Sequence, residues 1–153
     1  MSIAEISSAP VYIAFADEPL AAAARQMCAR GVGALVVVDT HDAQQRPIGI
    51  LTDRDIVCGQ VKRRTDLYCL TVGEVMTRNP LTVPADAALS EAVQAMSARG
   101  VRRAPVVDRS GALLAILTLD DLLPLIAQQL GELAGIADAQ ARGPPAAAAQ
   151  RSA

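Results

Sequence analysis

The sequence predicts an α/β fold made of two tandem β-α-β-β-α units. Three observations predict it: the sequence contains an internal duplication, each copy alternates strand-like and helix-like patterns in the same order, and the composition is that of a globular protein. Of the 153 residues, 52% are hydrophobic and 20% are charged, which is an ordinary balance for a folded domain. Aromatic residues make up only 2%, so the core must be built from Val, Leu, Ile and Ala.

The duplication is read directly from the letters. ADEPLAAAARQMCARGVGALVVVD, from Ala16, aligns with ADAALSEAVQAMSARGVRRAPVVD, from Ala85, at an offset of 69 residues. Further on, ILTDRDIV aligns with ILTLDDLL at an offset of 66. The change of offset marks a loop, because insertions are tolerated there. The duplication predicts two half-domains, residues 3–66 and 67–133, neither of which can bury its apolar face alone.

Each unit shows the same succession of elements. An extended piece, VYIAF or PLTVP, precedes an Ala-rich helix. We expect this helix to begin after Asp17 or Asp86, good N-cap residues, and to end at a C-cap glycine, Gly31 or Gly100. Two strands follow, ALVVVD with IGILT in the first unit and APVVD with LLAILT in the second. Their β-branched runs are typical of strands covered on both faces.

A helix closes each unit, and we expect it to begin near Asp53 in the first and Leu119 in the second. From about Ala134 the chain reads AGIADAQARGPPAAAAQRSA. This stretch has too few large apolar side chains to pack against anything, so it predicts a disordered tail over residues 134–153.

Composition and charge argue against several classes of function. The net charge of −2 gives no basic face for nucleic acid. No apolar run approaches the roughly 18 residues that span a bilayer, and the N-terminus lacks the pattern of a signal peptide. Cys28, Cys58 and Cys69 form no CxxC pair, and His41 is the only histidine, so no metal site is expected. We expect a cytoplasmic protein with neither a membrane nor a nucleic-acid partner.

Two short motifs lie where a strand gives way to a helix, T-D-R-D (Thr52 to Asp55) and T-L-D-D (Thr118 to Asp121). Each has two interpretations. Thr followed three residues later by an acidic residue is a helix-capping pair. The same atoms also suit a nucleoside phosphate, because a helix N-terminus attracts phosphate and a carboxylate can accept both ribose hydroxyls.

The two copies differ at the start of one strand. The second copy has Arg102 and Arg103 where the first has Gly33 and Ala34. Paired arginines are usually solvated or paired with a carboxylate such as Asp108. Their other use is to bind phosphate, because a guanidinium offers two parallel hydrogen bonds.

With the duplicated unit, the GV..APVVD stretch and the G/A-I-L-T-x-x-D stretch, the chain resembles a tandem pair of cystathionine-β-synthase (CBS) domains, a Bateman module. The resemblance covers about Ile3 to Leu130. It implies two repeats packed about a pseudo-twofold axis with two clefts between them. It also implies a non-catalytic sensor in signal transduction, acting on a separate protein target, and a flat homodimer.

The resemblance also implies a ligand site in the second copy. Thr118 falls on the family's phosphate-contacting hydroxyl and Asp121 on its ribose-binding aspartate. Arg102 and Arg103 fall on the basic pair that holds the phosphates in the regulatory subunit of AMP-activated kinases. Such clefts hold AMP, ADP or ATP and, in some members, S-adenosylmethionine or NAD. Asp120 would repel a triphosphate, which ranks AMP and ADP above ATP.

In the first copy, Thr52 and Asp55 occupy the equivalent places, but the basic pair is missing, which implies a weaker second cleft. The alternative is a structural or dimerisation module in which both Thr/Asp pairs are caps and the clefts stay empty. An enzyme is not expected, since no catalytic set or glycine-rich phosphate loop is present.

Overall fold

The computed structural model describes residues 2–7 and 10–142. The helices are α1 (Ile3–Ile6), α2 (Leu20–Arg30), α3 (Asp53–Arg63), α4 (Val72–Val75), α5 (Leu89–Arg99) and α6 (Leu119–Ala141), with a 3-10 turn at Leu67–Cys69. The strands are β1 (Ile13–Phe15), β2 (Ala34–Val38), β3 (Pro47–Thr52), β4 (Thr77–Arg78), β5 (Val83–Pro84), β6 (Arg103–Val107) and β7 (Leu113–Thr118). The order β-α-β-β-α occurs twice, so the predicted fold class is confirmed.

The strands form two sheets with the same plan, β1-β2-β3-β4 and β5-β6-β7. In each sheet the first and second strands are parallel and joined by a helix, whereas the second and third strands form an antiparallel hairpin. The hairpin registers shift at equivalent places, Val37/Val38 and Val106/Val107. Consecutive residues of β2 and β6 are buried, which confirms strands covered on both faces.

The short first helix of each repeat packs on the core of the other repeat. Ile3, on α1, is fully buried among the side chains of the second repeat. Val72, on α4, is fully buried among those of the first. Each hydrophobic core is therefore completed by the other repeat's sequence.

Main-chain contacts hold these exchanged helices at equivalent positions. Ser2 bridges to Ala88 as Thr71 bridges to Pro19, which is one contact made twice with the repeats interchanged. A Cβ added to Gly73 would lie 2.9 Å from the carbonyl oxygen of Ala16. Only glycine fits this approach of two backbones without a shift.

The expected N-caps are wrong. The helices α2 and α5 begin three residues after Asp17 and Asp86, because both carboxylates turn to the hairpin loop instead. Asp17 accepts the hydroxyl hydrogen bond of Thr40, and Asp86 lies 3.3 Å from the Arg109 guanidinium.

Both expected C-caps are confirmed. Gly31 and Gly100 adopt left-handed φ angles of 66° and 63°, which glycine reaches without strain.

The expectation of disorder from residue 134 is corrected as far as the structure reaches, because α6 continues to Ala141. Residues 143–153 lie outside the described part of the chain.

Within residues 2–7 and 10–142, no helix is long and apolar enough to cross a membrane. Over the same ranges, no three or more His, Cys, Asp or Glu side chains are grouped to hold a metal ion.

Candidate functional site

Both Thr-x-x-Asp motifs form reciprocal helix caps. The Thr118 backbone N–H donates to Oδ2 of Asp121 (2.8 Å), and the Asp121 N–H donates to the Thr118 hydroxyl (3.2 Å). Thr52 and Asp55 make the same two bonds at 2.9 and 3.1 Å. In the second repeat the Thr118 hydroxyl also bonds Oδ2 of Asp121, at 2.7 Å. The capping interpretation is confirmed for both pairs, and it fixes where each Thr and Asp points.

Strand register brings one arginine to one of these caps. Arg103 is the direct cross-strand partner of Thr118, so the two side chains share a face of the sheet. In the first repeat the partner of Thr52 is Ala34. Arg102, one position earlier, is exposed, and neighbouring strand residues point to opposite faces.

A cavity of about 240 Å³ lies between the repeats at this point. One wall comes from β6 and β7, and the other from the segments that lead into β1 and β2. The lining residues are Pro10, Val11, Tyr12, Val32, Gly33, Ala34, Arg103, Ile116 and Thr118. Most of this lining is apolar, and the Arg103 guanidinium supplies its positive charge. Neither Arg102 nor the Thr52–Asp55 pair contributes to it.

Gly33 faces the arginine of the other repeat. A Cβ placed on Gly33 would lie 3.9 Å from Nη2 of Arg103 and 3.4 Å from Oδ2 of Asp53. The two copies differ here for a physical reason, because a large side chain at position 33 would occupy the space beside the arginine head group. The Asp53 carboxylate borders the same space.

A second cavity, of about 720 Å³, adjoins Asp121 of the Thr118–Asp121 cap. Its lining residues are Glu5, Ile6, Asp120, Asp121, Pro124 and Leu125. The backbone N–H of Ser2 lowers the pKa of Glu5 by hydrogen bonding to its carboxylate. The described lining therefore carries three carboxylates, whereas the smaller cavity carries a guanidinium.

The structure thus brings Arg103 and Thr118 together in the smaller cavity, joins Asp121 to Thr118 through the cap, and leaves Arg102 apart. Glu5 and Tyr12, which line the cavities, and Asp53, next to Gly33, were not predicted as site residues from the sequence. Tyr12 is held by a cation–π contact, with the Arg30 guanidinium carbon 5.1 Å from its ring centre. A signal existed for Asp53, because it stands inside the T-D-R-D motif, but only the packing of the repeats places it beside Arg103.

Comparison with known proteins identifies the family. The sequence model of the CBS domain matches residues 3–59 and 72–128. A protein of Methanopyrus kandleri is 32% identical over 123 residues, which cover 80% of this chain and 61% of that protein. A Bacillus subtilis protein, YlbB, is 35% identical over 116 residues, covering 75% of this chain and 74% of its own. The chain thus spans less than two thirds of the Methanopyrus protein.

Solved structures share the fold. Hypoxic Response Protein I, crystallised with two coordinated zinc ions, is 31% identical with a TM-score of 0.70, covering 81% of this chain and 98% of that one. The CBS domain pair of protein MJ0100, in complex with 5′-methylthioadenosine and S-adenosyl-L-methionine, is 26% identical with a TM-score of 0.72, covering 84% and 98%. The chain belongs to the CBS domain family and carries two CBS domains in tandem.

Proposed function

We propose that the chain is a non-catalytic regulatory module that binds an adenosine nucleotide between its repeats and signals to a separate protein. The observation that carries the proposal is the position of the Arg103 guanidinium across from the Thr118–Asp121 cap, in the wall of an apolar cavity. A guanidinium is the side chain best shaped for phosphate, and the aspartate of the cap can accept ribose hydroxyls.

The charges of the two cavities orient the proposed ligand. The phosphate lies toward Arg103, and the base packs on apolar side chains of the same cavity such as Val11 and Ile116. The ribose lies between them at the Thr118–Asp121 cap, which contributes Thr118 to this cavity and Asp121 to the larger one. The carboxylates of Asp120 and Glu5 line the neighbouring cavity, and each phosphate added to the ligand increases the repulsion from them because charges of like sign repel. AMP and ADP are therefore favoured over ATP.

The ligands of a relative support the class of compound. The CBS pair solved with 5′-methylthioadenosine and S-adenosyl-L-methionine binds adenosine-containing molecules in a fold shared with this chain. S-adenosylmethionine and NAD therefore belong in the same test. In the first repeat we propose weaker binding at Thr52 and Asp55, because Ala34 stands where the second repeat has Arg103.

We also propose that the chain forms a homodimer. A relative of 26% identity, a CBS-CP12 protein from cyanobacteria, is hexameric, so association between copies occurs in proteins of this fold.

Isothermal titration of the purified chain with AMP, ADP, ATP, S-adenosylmethionine, NAD and adenosine tests the ligand proposal. We expect AMP and ADP to bind more tightly than ATP and adenosine. If none of these compounds binds, a structural module with empty clefts is the better account. The capping bonds of both Thr/Asp pairs favour that second candidate, because they explain the two motifs without a ligand.

A further inference from the structure

The helix α6 carries a large exposed apolar surface beyond the CBS domain. Leu130, Leu133 and Ile136 are 61%, 62% and 59% exposed, and Leu123, near the start of the helix, is 54% exposed. The CBS match ends at residue 128, so the first three side chains belong to an extension of the family's fold. Large apolar patches on a protein surface mark interaction sites.

The apolar side chains follow the spacing of a coiled coil. Leu123, Ile126, Leu130, Leu133 and Ala137, called here the seam, are separated alternately by three and four residues. This is the a/d pattern that packs one helix against another. The positions flanking the seam carry no charge on the helix, since they are alanine, glutamine and isoleucine.

The exposed part of α6 has no packing partner within the described residues. All side chains from residue 127 to 142 are exposed, so no other part of the described chain covers them. Most of the stability of a helix in a protein comes from packing of its apolar face and not from intrinsic propensity. Gly131 and Gly135, which touch nothing within 4 Å, weaken it further because glycine is a poor helix former.

We propose that a second copy of the chain covers the seam, with the two α6 helices antiparallel. A seam of leucine and isoleucine is self-complementary, and its uncharged flanks bring no like charges together. An antiparallel pair centred between Leu130 and Leu133 overlaps along nearly the whole helix and sets Leu130 of one copy against Leu133 of the other. It also brings Arg142 near Asp120, whereas a parallel pair would set Asp120 beside its own copy.

The seam supplies an interface for the homodimer proposed above, and the inference rests on that proposal. The test is sedimentation of the full chain and of the double variant Leu130→Glu/Leu133→Glu. The matched control, Gly135→Glu/Ala139→Glu, adds the same charges on the far side of the helix. We expect the wild type and the control to be dimers and the seam variant to be a monomer, with its dimer dissociation constant raised at least a hundredfold (about 2.7 kcal/mol).

Circular dichroism separates loss of pairing from loss of fold. The variant Leu130→Ala/Leu133→Ala raises intrinsic helix propensity yet truncates the seam, so it too should dimerise more weakly than the wild type.

Spin labels at Ala141→Cys, in a chain whose native cysteines are serine, should lie about 30 Å apart in an antiparallel pair. If the seam variant dimerises as well as the control, the proposed pairing through the seam is wrong, but the proposed homodimer stands. A monomeric wild type overturns both, and labels about 10 Å apart overturn the antiparallel alignment.

Discussion

A glycine and an arginine occupy facing places where the two repeats meet. Gly33 leaves room for the Arg103 head group of the other repeat, and Asp53 lies beside the same point. A duplicated sequence can thus diverge at one position in each copy and produce one charged cleft, because the two copies contribute opposite walls.

The carboxylate of Asp53 is expected to oppose phosphate binding. Asp53→Asn removes a negative charge near Arg103 with little change of shape, so AMP should bind several-fold more tightly. Adenosine, which lacks the phosphate, should bind as before. Calorimetric titration of both ligands measures the effect, and an equal change for AMP and adenosine would show that Asp53 acts on the fold and not on the phosphate.

The two capping aspartates form a matched pair for separating structure from binding. Asp55→Ala and Asp121→Ala each remove one cap, which costs about 1 kcal/mol of unfolding free energy. Asp121→Ala should also weaken AMP and adenosine together, since both ligands carry the ribose, and Asp55→Ala should weaken them far less. Thermal unfolding and titration of the two variants check this. Equal ligand affinity in both variants would leave Asp121 with a capping role alone.

At the scale of elements, the strands, hairpins and closing helices could be predicted because each has a local signal. The runs in β2 and β6, the glycine C-caps and the Thr-x-x-Asp caps are such signals. The helices α1 and α4 were missed although S-x-x-E and T-x-x-E capping boxes announce them, because each helix is only one turn long.

The part of the site that depends on local pairing could also be predicted from the sequence, and the part that depends on docking of the repeats could not. Hairpin register alone sets Arg103 opposite Thr118, whereas the place of Asp53 depends on how two distant segments dock. The continuation of α6 to Ala141 was not predicted. The sequence of this segment has few large apolar side chains, and nothing in a single chain packs against it.

The cap of α4 predicts a dependence of stability on pH. The Thr71 backbone N–H and hydroxyl bond the Glu74 carboxylate at 2.8 and 3.1 Å, which lowers the pKa of Glu74. The stabilisation is present above the unfolded pKa of about 4.3 and is lost as the pH falls through the folded pKa. Chemical unfolding at several pH values should therefore show Glu74→Gln less stable at neutral pH and less sensitive to acid.

The control for this effect is Glu132→Gln, on the exposed part of α6. It should reproduce the acid sensitivity of the wild type. An unchanged pH profile in Glu74→Gln would show that this cap contributes nothing measurable.

At the scale of the whole molecule, the exchanged helices make the two repeats interdependent. A fragment of residues 1–66 would carry Ile3 without the core that buries it, and would lack Val72, which completes its own core. We expect this fragment to be unfolded or self-associated at neutral pH. A monomeric fragment with its own sharp thermal transition would contradict this.

The central claim is that Arg103 holds a phosphate in the cleft between the repeats. Its most direct test is titration of AMP and adenosine into Arg103→Ala, with Arg102→Ala as the control, because Arg102 is exposed outside the cavity. A charge-assisted hydrogen bond contributes roughly 1.5–3 kcal/mol, so Arg103→Ala should weaken AMP at least tenfold and leave adenosine unchanged. Arg102→Ala should weaken AMP far less. If Arg103→Ala binds AMP as well as the wild type does, the phosphate assignment is wrong.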